Sequence, residues 1–149
     1  MKPFLLLYGP NLNRLGTRNP ALYGSMSLEQ IEEAVRENLA QHNIDLFTRQ
    51  SNVEGILIDT IQEFAERVQG IIFNPGALAH SSLALRDAIE DAACPVVEVH
   101  FSNIHARESF RHHTVTAAAC KGVIAGLGWY GLVLGIQGVL DTTAGQDRR

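Results

Sequence analysis

Apolar runs alternate along this chain with amphipathic segments, and that alternation predicts its secondary structure. Short runs of the kind found in strands buried on both faces lie at 4–8, 44–49, 70–74, 95–100 and 122–125. Between them, apolar residues recur every three or four positions, which predicts helices over 28–42, 57–68, 82–92 and 129–140. Ser27 and Gln30 have the spacing of a capping box at the start of the first of these helices.

Strands that alternate with helices form right-handed βαβ units around a parallel sheet. The pattern therefore predicts an α/β, flavodoxin-like, doubly wound fold with five parallel strands, most simply in the order 2-1-3-4-5. Ligands of such sheets bind beyond the carboxyl ends of the strands. We expect one domain over residues 1–149, with a frayed polar tail at 142–149.

Composition narrows the class of function. The chain has 149 residues, 46% of them apolar, which is enough for one sizeable core, and its net charge of −4 argues against a nucleic-acid partner. Cys94 and Cys120 are too few for a disulfide framework and are interpreted as small hydrophobic residues. The sequence shows no membrane span, signal peptide or metal-ligand spacing, so we expect a cytoplasmic protein without a metal.

The segment that contains the fourth strand concentrates polar side chains. Glu98 and His100 lie on one face of that strand, and a carboxylate inside a sheet needs a partner. A carboxylate beside an imidazole favours its protonated form, which is a credible general acid, whereas the alternative is a histidine satisfied in the core. Arg107 and Arg111 share a face of a predicted short helix, and the alternative for both is a surface charge.

The long loop after the first strand offers a candidate base. A phenol is a poor base at neutral pH, but a nearby guanidinium favours its ionised form. Tyr23 and Arg18 lie five residues apart in this loop, although an aromatic anchor that closes the loop is an equal alternative for Tyr23. Asn11 follows the first strand, and Asn74 and His80 belong to the loop after the third, where they could instead only shape a turn. Three loops thus bring polar groups towards one crevice.

Two other chemistries fit the sequence less well. Lysine occurs only at Lys2, near the start of the chain, and at Lys121, which precedes the last strand on the edge opposite the crevice, so Schiff-base catalysis is unfavourable. Residues 126–131 match GxGxxG, which indicates nucleotide binding only when another strand follows. No further strand is predicted, and close packing of the last helix on the sheet explains these glycines better.

Several motifs resemble those of type II 3-dehydroquinate dehydratases, in the order of that family and over nearly the whole chain. They are GPNLNRLG at 9–16, LYG at 22–24, RQSNVEG at 49–55, NPGALAHSSLALRDA at 74–88, EVHFSNIHARESFR at 98–111 and GVIAGLGWYG at 122–131. The resemblance implies a flavodoxin-like lyase of the shikimate pathway, in aromatic amino acid biosynthesis, that converts 3-dehydroquinate to 3-dehydroshikimate. The reaction would lose water through an enolate without a cofactor, in a dodecamer built from trimers. A non-catalytic flavodoxin-like domain that binds a small ligand or nucleotide is the alternative.

The resemblance also implies catalytic roles for five residues. Tyr23 would remove the proton next to the ketone, with Arg18 holding it as tyrosinate. Asn11 would help stabilise the enolate. His100, oriented by Glu98, would protonate the departing hydroxyl.

Six further residues would bind the substrate in this family: Asn74, His80, Asp87, Phe101, Ser102 and Arg111. Asn74 and the backbone amides of Phe101 and Ser102 would hold the carboxylate, a task that exposed amides perform well. His80 and Arg111 would bind ring hydroxyls. Asp87 would reach in from a neighbouring subunit, and without the resemblance it is a solvated carboxylate on a helix face. Phe101 stands where an aliphatic residue is common in the family.

Overall fold

A parallel β-sheet forms the centre of the computed structural model, which describes residues 1–17 and 19–146, although not the side chains of Leu22, Tyr23 and Gln146. Its strands are β1 (Phe4–Tyr8), β2 (Leu46–Gln50), β3 (Gly70–Asn74), β4 (Val96–His100) and β5 (Gly122–Ala125). They pair in the order β2-β1-β3-β4-β5, with Phe4 opposite Leu46 on one side and Gly70 on the other. The predicted α/β fold and strand order are confirmed.

Helices cover both faces of the sheet. They are α1 (Pro20–Tyr23), α2 (Leu28–Leu39), α3 (Glu54–Phe64), α4 (Leu83–Asp91) and α5 (Tyr130–Gln146). Short 3-10 helices lie at Leu12–Arg14, Ala40–His42, Gly76–His80, Ile104–Ala106, Ser109–Arg111 and Ala117–Ala119. The capping box at the start of α2 is present, because the Ser27 hydroxyl accepts from the Gln30 N–H at 3.2 Å and the Gln30 side chain accepts from the Ser27 N–H at 2.8 Å.

The alternation of side chains along the strands creates two apolar layers. In β1, Phe4, Leu6 and Tyr8 face α2 and α5, whereas Leu5 and Leu7 face α3 and α4. A β-carbon at Gly131 of α5 would lie 3.0 Å from a methyl of Val99 and 3.3 Å from a methyl of Ile124. This close approach supports the interpretation of the glycine motif as helix packing.

Several predicted boundaries differ from the structure: the first predicted helix ends at Leu39 rather than at residue 42, and the second spans Glu54–Phe64 rather than 57–68. The second strand begins at Leu46 rather than at residue 44. The last helix continues past Leu140 to Gln146, so residues 142–146 of the tail are helical, while residues 147–149 lie outside the described chain. The predicted single helix carrying the two arginines is wrong: the backbone of Arg107 is extended (φ −109°, ψ −162°) and separates two 3-10 helices. In the described part of the chain, no helix is long and apolar enough to cross a membrane.

Candidate active site

A cavity of about 170 Å³ opens at the carboxyl ends of the strands, where the loops after β1, β3 and β4 meet. Arg107, which the sequence left open between a site residue and a surface charge, lines this cavity. So do seven of the predicted site residues: Asn11, Asn74, His80, His100, Phe101, Ser102 and Arg111. The structure therefore brings polar groups from three loops into one space, as the topology predicts.

Glu98 and His100 form a buried pair in β4. Glu98 is 0% exposed and His100 is 5% exposed, and His100 Nε2 lies 2.9 Å from Glu98 Oε2. Thr114 Oγ1 donates to the same carboxylate oxygen at 2.9 Å, and the Thr116 hydroxyl donates to Oε1. Burial raises the pKa of Glu98, but the hydrogen bonds from His100, Thr116 and Thr114 outweigh it, so the pKa of this carboxyl lies below its ordinary value.

These bonds also define the state of the imidazole. An ionised carboxylate only accepts hydrogen bonds, so Nε2 of His100 carries the hydrogen that lies between the two groups. Nδ1 is then the ring nitrogen that can exchange a proton. The pair can therefore act as an acid through Nδ1 of His100 while Glu98 stabilises the imidazolium.

His80 extends this arrangement from the loop after β3. Its ring stacks on that of His100 with centroids 6.2 Å apart and an interplanar angle of 22°. His80 Nδ1 lies 2.9 Å from the carbonyl oxygen of His113, which can only accept, so Nδ1 donates and Nε2 is the nitrogen left for other partners. The side chains of His112 and His113 are exposed.

Tight contacts fix the loop after β3 against the loop after β1. Asn74 is buried, and its Oδ1 accepts from the Gly76 N–H at 3.1 Å, so its amide nitrogen is the part available to a ligand. A β-carbon at Gly9 would lie 2.3 Å from the carbonyl oxygen of Pro75, a separation that only glycine permits. The two loops thus approach each other through backbone contacts.

The backbone of Asn11 is in the left-handed region (φ 70°) and is bonded to the side chain of Asn52, a residue to which no role was assigned from the sequence. Asn52 Oδ1 accepts from the Asn11 N–H at 2.9 Å and from Gln50 Nε2 at 3.1 Å. Gln50 Nε2 also lies 3.2 Å from the carbonyl oxygen of Gly9. The RQSNVEG motif therefore supports the Asn11 loop from the neighbouring strand.

Glycines before α5 support the loop after β4. The Gly126 N–H donates to the His100 carbonyl at 3.2 Å, and the Gly128 N–H donates to the Phe101 carbonyl at 3.0 Å. Two backbone amides that a nucleotide-binding loop would turn towards phosphate are thus engaged within the protein. This arrangement disfavours the nucleotide-binding alternative.

Two arginines give one side of the cavity positive charge. Arg107 Nη1 donates to Ser102 Oγ at 3.2 Å, and Arg111 Nε donates to Glu108 Oε2 at 2.8 Å. The side chains of Arg107 and Arg111 are 14% and 21% exposed, so both are largely shielded from solvent. A cavity that combines arginines with histidines suits an anionic ligand.

Two other predicted site residues, Glu98 and Asp87, do not line the cavity. Asp87 is exposed on α4. Arg18 lies outside the described residues, and for Tyr23 only the backbone is described, as the last residue of α1. Sequence reasoning missed Thr114 and Thr116, because contacts over 16 and 18 residues leave no local pattern. Among the described residues, no three His, Cys, Asp or Glu side chains are placed to hold a metal ion.

Known proteins are similar to this chain in sequence. The model of the family described as Dehydroquinase class II matches residues 2–140. A 3-dehydroquinate dehydratase of Anoxybacillus flavithermus is 51% identical over 148 residues, which cover 99% of this chain and 100% of the relative. A protein of Aspergillus flavus named catabolic 3-dehydroquinase 2 is 44% identical over 149 residues, with 100% and 99% coverage.

A solved crystal structure has the same fold as this chain. The crystal structure of type II dehydroquinase from Butyrivibrio crossotus superposes with a TM-score of 0.89 and 40% identity, covering 93% of this chain and 97% of that one. Because the family match spans nearly the whole chain and the relatives match at full length, the chain belongs to the class II dehydroquinase family.

Proposed function

We propose that this protein is a hydro-lyase that converts 3-dehydroquinate to 3-dehydroshikimate, in the shikimate or quinate pathway of the cytoplasm. The relatives named 3-dehydroquinate dehydratase and catabolic 3-dehydroquinase 2 support this substrate. The observation that carries the proposal is the buried Glu98–His100 pair at the wall of a cavity that also holds two arginines. Such a cavity offers an acid for a departing hydroxyl and a positive environment for a carboxylate substrate.

The base in this proposal is Tyr23, with Arg18 stabilising its tyrosinate form. Tyr23 removes the proton on the carbon next to the ketone, and the electrons of the broken C–H bond form an enolate. Asn11 stabilises the enolate oxygen. The position of Asn11 on the cavity wall and its fixed backbone support this part of the proposal.

The acid is His100, which donates its Nδ1 proton to the hydroxyl that leaves as water. Collapse of the enolate restores the ketone and forms the conjugated double bond as the C–O bond breaks. Glu98 stabilises the imidazolium before the transfer and orients the ring afterwards. Acid and base are both side chains, so the proposed reaction uses no cofactor.

Substrate binding draws on the remaining cavity residues. Asn74 and the amides of Phe101 and Ser102 hold the carboxylate, and His80 and Arg111 bind ring hydroxyls. Support comes from their common cavity and from the free amide nitrogen of Asn74. We further propose that Asp87 completes the site of a neighbouring subunit, within a dodecamer built from trimers.

An absorbance assay tests the reaction. The conjugated enone product absorbs ultraviolet light more strongly than the unconjugated substrate, so metal-free protein mixed with 3-dehydroquinate should develop this absorbance. Tyr23→Phe should abolish turnover while substrate still binds, and Tyr130→Phe, which removes the hydroxyl of an exposed tyrosine of α5, is the matched control. An active Tyr23→Phe enzyme would refute the assignment of the base.

Two further measurements separate this mechanism from its competitors. His100→Ala should suppress loss of water more than exchange of the proton next to the ketone, whereas His42→Ala, a change at an exposed histidine in a different part of the chain, should leave both rates unchanged. Borohydride added with substrate should leave no adduct on lysine, and Lys121→Met should stay active. A reduced adduct found by mass spectrometry would show covalent catalysis instead.

A further inference from the structure

The Glu98 carboxylate is bonded by two threonines in addition to His100. The Thr114 hydroxyl donates to Oε2 beside His100, and the Thr116 hydroxyl donates to Oε1 on the other side. Thr116, like Glu98, is 0% exposed. Oε2 of this buried carboxylate thus accepts from His100 and Thr114, and Oε1 accepts from Thr116. Because both oxygens are bonded, the carboxylate group is fixed in one orientation.

We infer that Thr114 and Thr116 are positioning residues, whose hydroxyl groups fix the Glu98 carboxylate so that it presents Oε2 to His100. The inference rests on the proposed function, in which His100 is the acid. Without Thr116, Oε1 would be buried and unpaired, a state that costs more than an ordinary lost hydrogen bond. Rotation of the carboxylate would then compete with its bond to His100.

The threonines are themselves held in place. The N–H of Val115, which lies between them, donates to the Ala79 carbonyl at 2.8 Å. Cys120 Sγ donates to the Thr116 carbonyl at 3.4 Å, and the Lys121 N–H donates to the Val96 carbonyl at 2.7 Å. The segment is thus tied to the loop after β3 at one end and to β4 at the other, so the two hydroxyls sit on a fixed support.

The charges around Glu98 match this role. Its titratable neighbours in the described chain are His100 in β4 and Cys120 before β5, while Phe73 of β3 and Val123 of β5 lie opposite it in the sheet. Burial, and then Glu98 itself, raise the pKa of Cys120 to about 12, so this thiol adds no charge at neutral pH. The imidazole of His100 is thus the one charge partner of Glu98 among these neighbours.

The hydroxyls have a consequence for pH dependence. Burial raises the pKa of Glu98, and the bonds from His100 and both threonines bring it below the ordinary value. A lowered pKa keeps the carboxylate ionised as the pH falls. Removal of the Thr116 hydroxyl should raise this pKa, and the acid limb of the rate profile should move to higher pH.

The test is titration of the Glu98 carboxyl carbon by NMR in labelled protein, with Glu98→Gln used to assign the signal. In Thr116→Val, which keeps the shape of threonine, the midpoint should rise by about one pH unit, and Thr116→Ser should restore it. Turnover should fall about tenfold with KM little changed. Thr60→Val is the matched control, because this buried threonine bonds only the Ile56 carbonyl in the described structure.

The titration needs no enzymatic activity, so it separates this inference from the proposed function. An unchanged midpoint in Thr116→Val overturns the positioning role even if the enzyme is active. If the wild-type protein is inactive but the Glu98 midpoint still rises in Thr116→Val, the proposed function is overturned. The positioning role of the two threonines is then retained. If Thr116→Val does not fold, the same titration is done on Thr114→Val, which removes the hydroxyl that bonds Oε2 at a half-buried position. The Glu98 midpoint should again rise.

Discussion

Replacement of Asp87 by alanine tests whether active sites are shared between subunits. Asp87 is exposed on α4, one turn after Leu83, which is 63% exposed, and it does not line the cavity of its own chain. If it binds a substrate hydroxyl in a neighbouring site, its loss removes one charge-assisted hydrogen bond, about 1.5–3 kcal/mol. Activity should then fall roughly 10- to 150-fold without a change in fold.

A matched control lies on the same helix. Asp91 is an exposed carboxylate one turn beyond Asp87, further from the carboxyl edge of the sheet. Asp91→Ala should keep near wild-type activity, measured by the enone absorbance. Equal losses in both variants would point to a general effect of charge rather than to a contact with substrate.

Complementation then asks whether the two residues come from different chains. Tyr23→Phe and Asp87→Ala proteins, unfolded and refolded together in equal amounts, should pair an intact Tyr23 with an intact Asp87 at about a quarter of the interfaces of a cyclic trimer. Activity should recover to about a quarter of wild type, whereas mixing folded proteins should restore nothing. Refolded mixtures that show only the average of their parents would refute the shared site.

Two further predictions concern the acid and the loops. Glu98→Gln removes the ionised partner of His100, so loss of water should slow more than exchange of the proton next to the ketone; equal slowing of both steps would leave Glu98 a purely structural role. Gly9→Ala should destabilise the protein by about 1–3 kcal/mol in chemical denaturation, because its methyl would lie 2.3 Å from the Pro75 carbonyl oxygen. Gly55→Ala, which points into open space within α3, should instead be neutral or stabilising by up to about 1 kcal/mol, and equal losses at both glycines would contradict this steric account.

Sequence predicted the bounds of β1, β3 and β5, but not those of β2 or of the last helix. β1 and β3 have the predicted bounds because every residue in them is buried, so the apolar run and the strand coincide. β2 is a half-exposed edge strand. The prediction started it at residue 44 because Ile44 is apolar and packs against the core, although it precedes the strand. The last helix continues past its apolar residues to Gln146, and the Thr142 hydroxyl in this extension donates to the Gly138 carbonyl at 2.9 Å. An apolar pattern cannot mark the end of such a polar extension.

The same distinction applies to the site. Asn74 and His100 were found because each ends a buried strand, and the ends of parallel strands meet at one edge. Asn52 was part of a noted motif, but its contact with Asn11 crosses 41 residues and depends on the pairing of β1 with β2. Residue types reveal which groups can do chemistry, while the groups that orient them depend on tertiary contacts.

The position of the acid in the sheet explains why those contacts matter. β4 has β3 and β5 as neighbours, and every residue in it is buried. A carboxylate in an exposed loop would be hydrated and would interact weakly with an imidazole, whereas Glu98 in β4 has lost its water and interacts strongly. The same burial opposes ionisation of Glu98, because desolvation raises its pKa, and the hydrogen bonds from His100, Thr116 and Thr114 together outweigh that effect. Additional donors therefore favour an ionised carboxylate in this place, and Thr114 and Thr116 supply them from a segment that is remote in sequence.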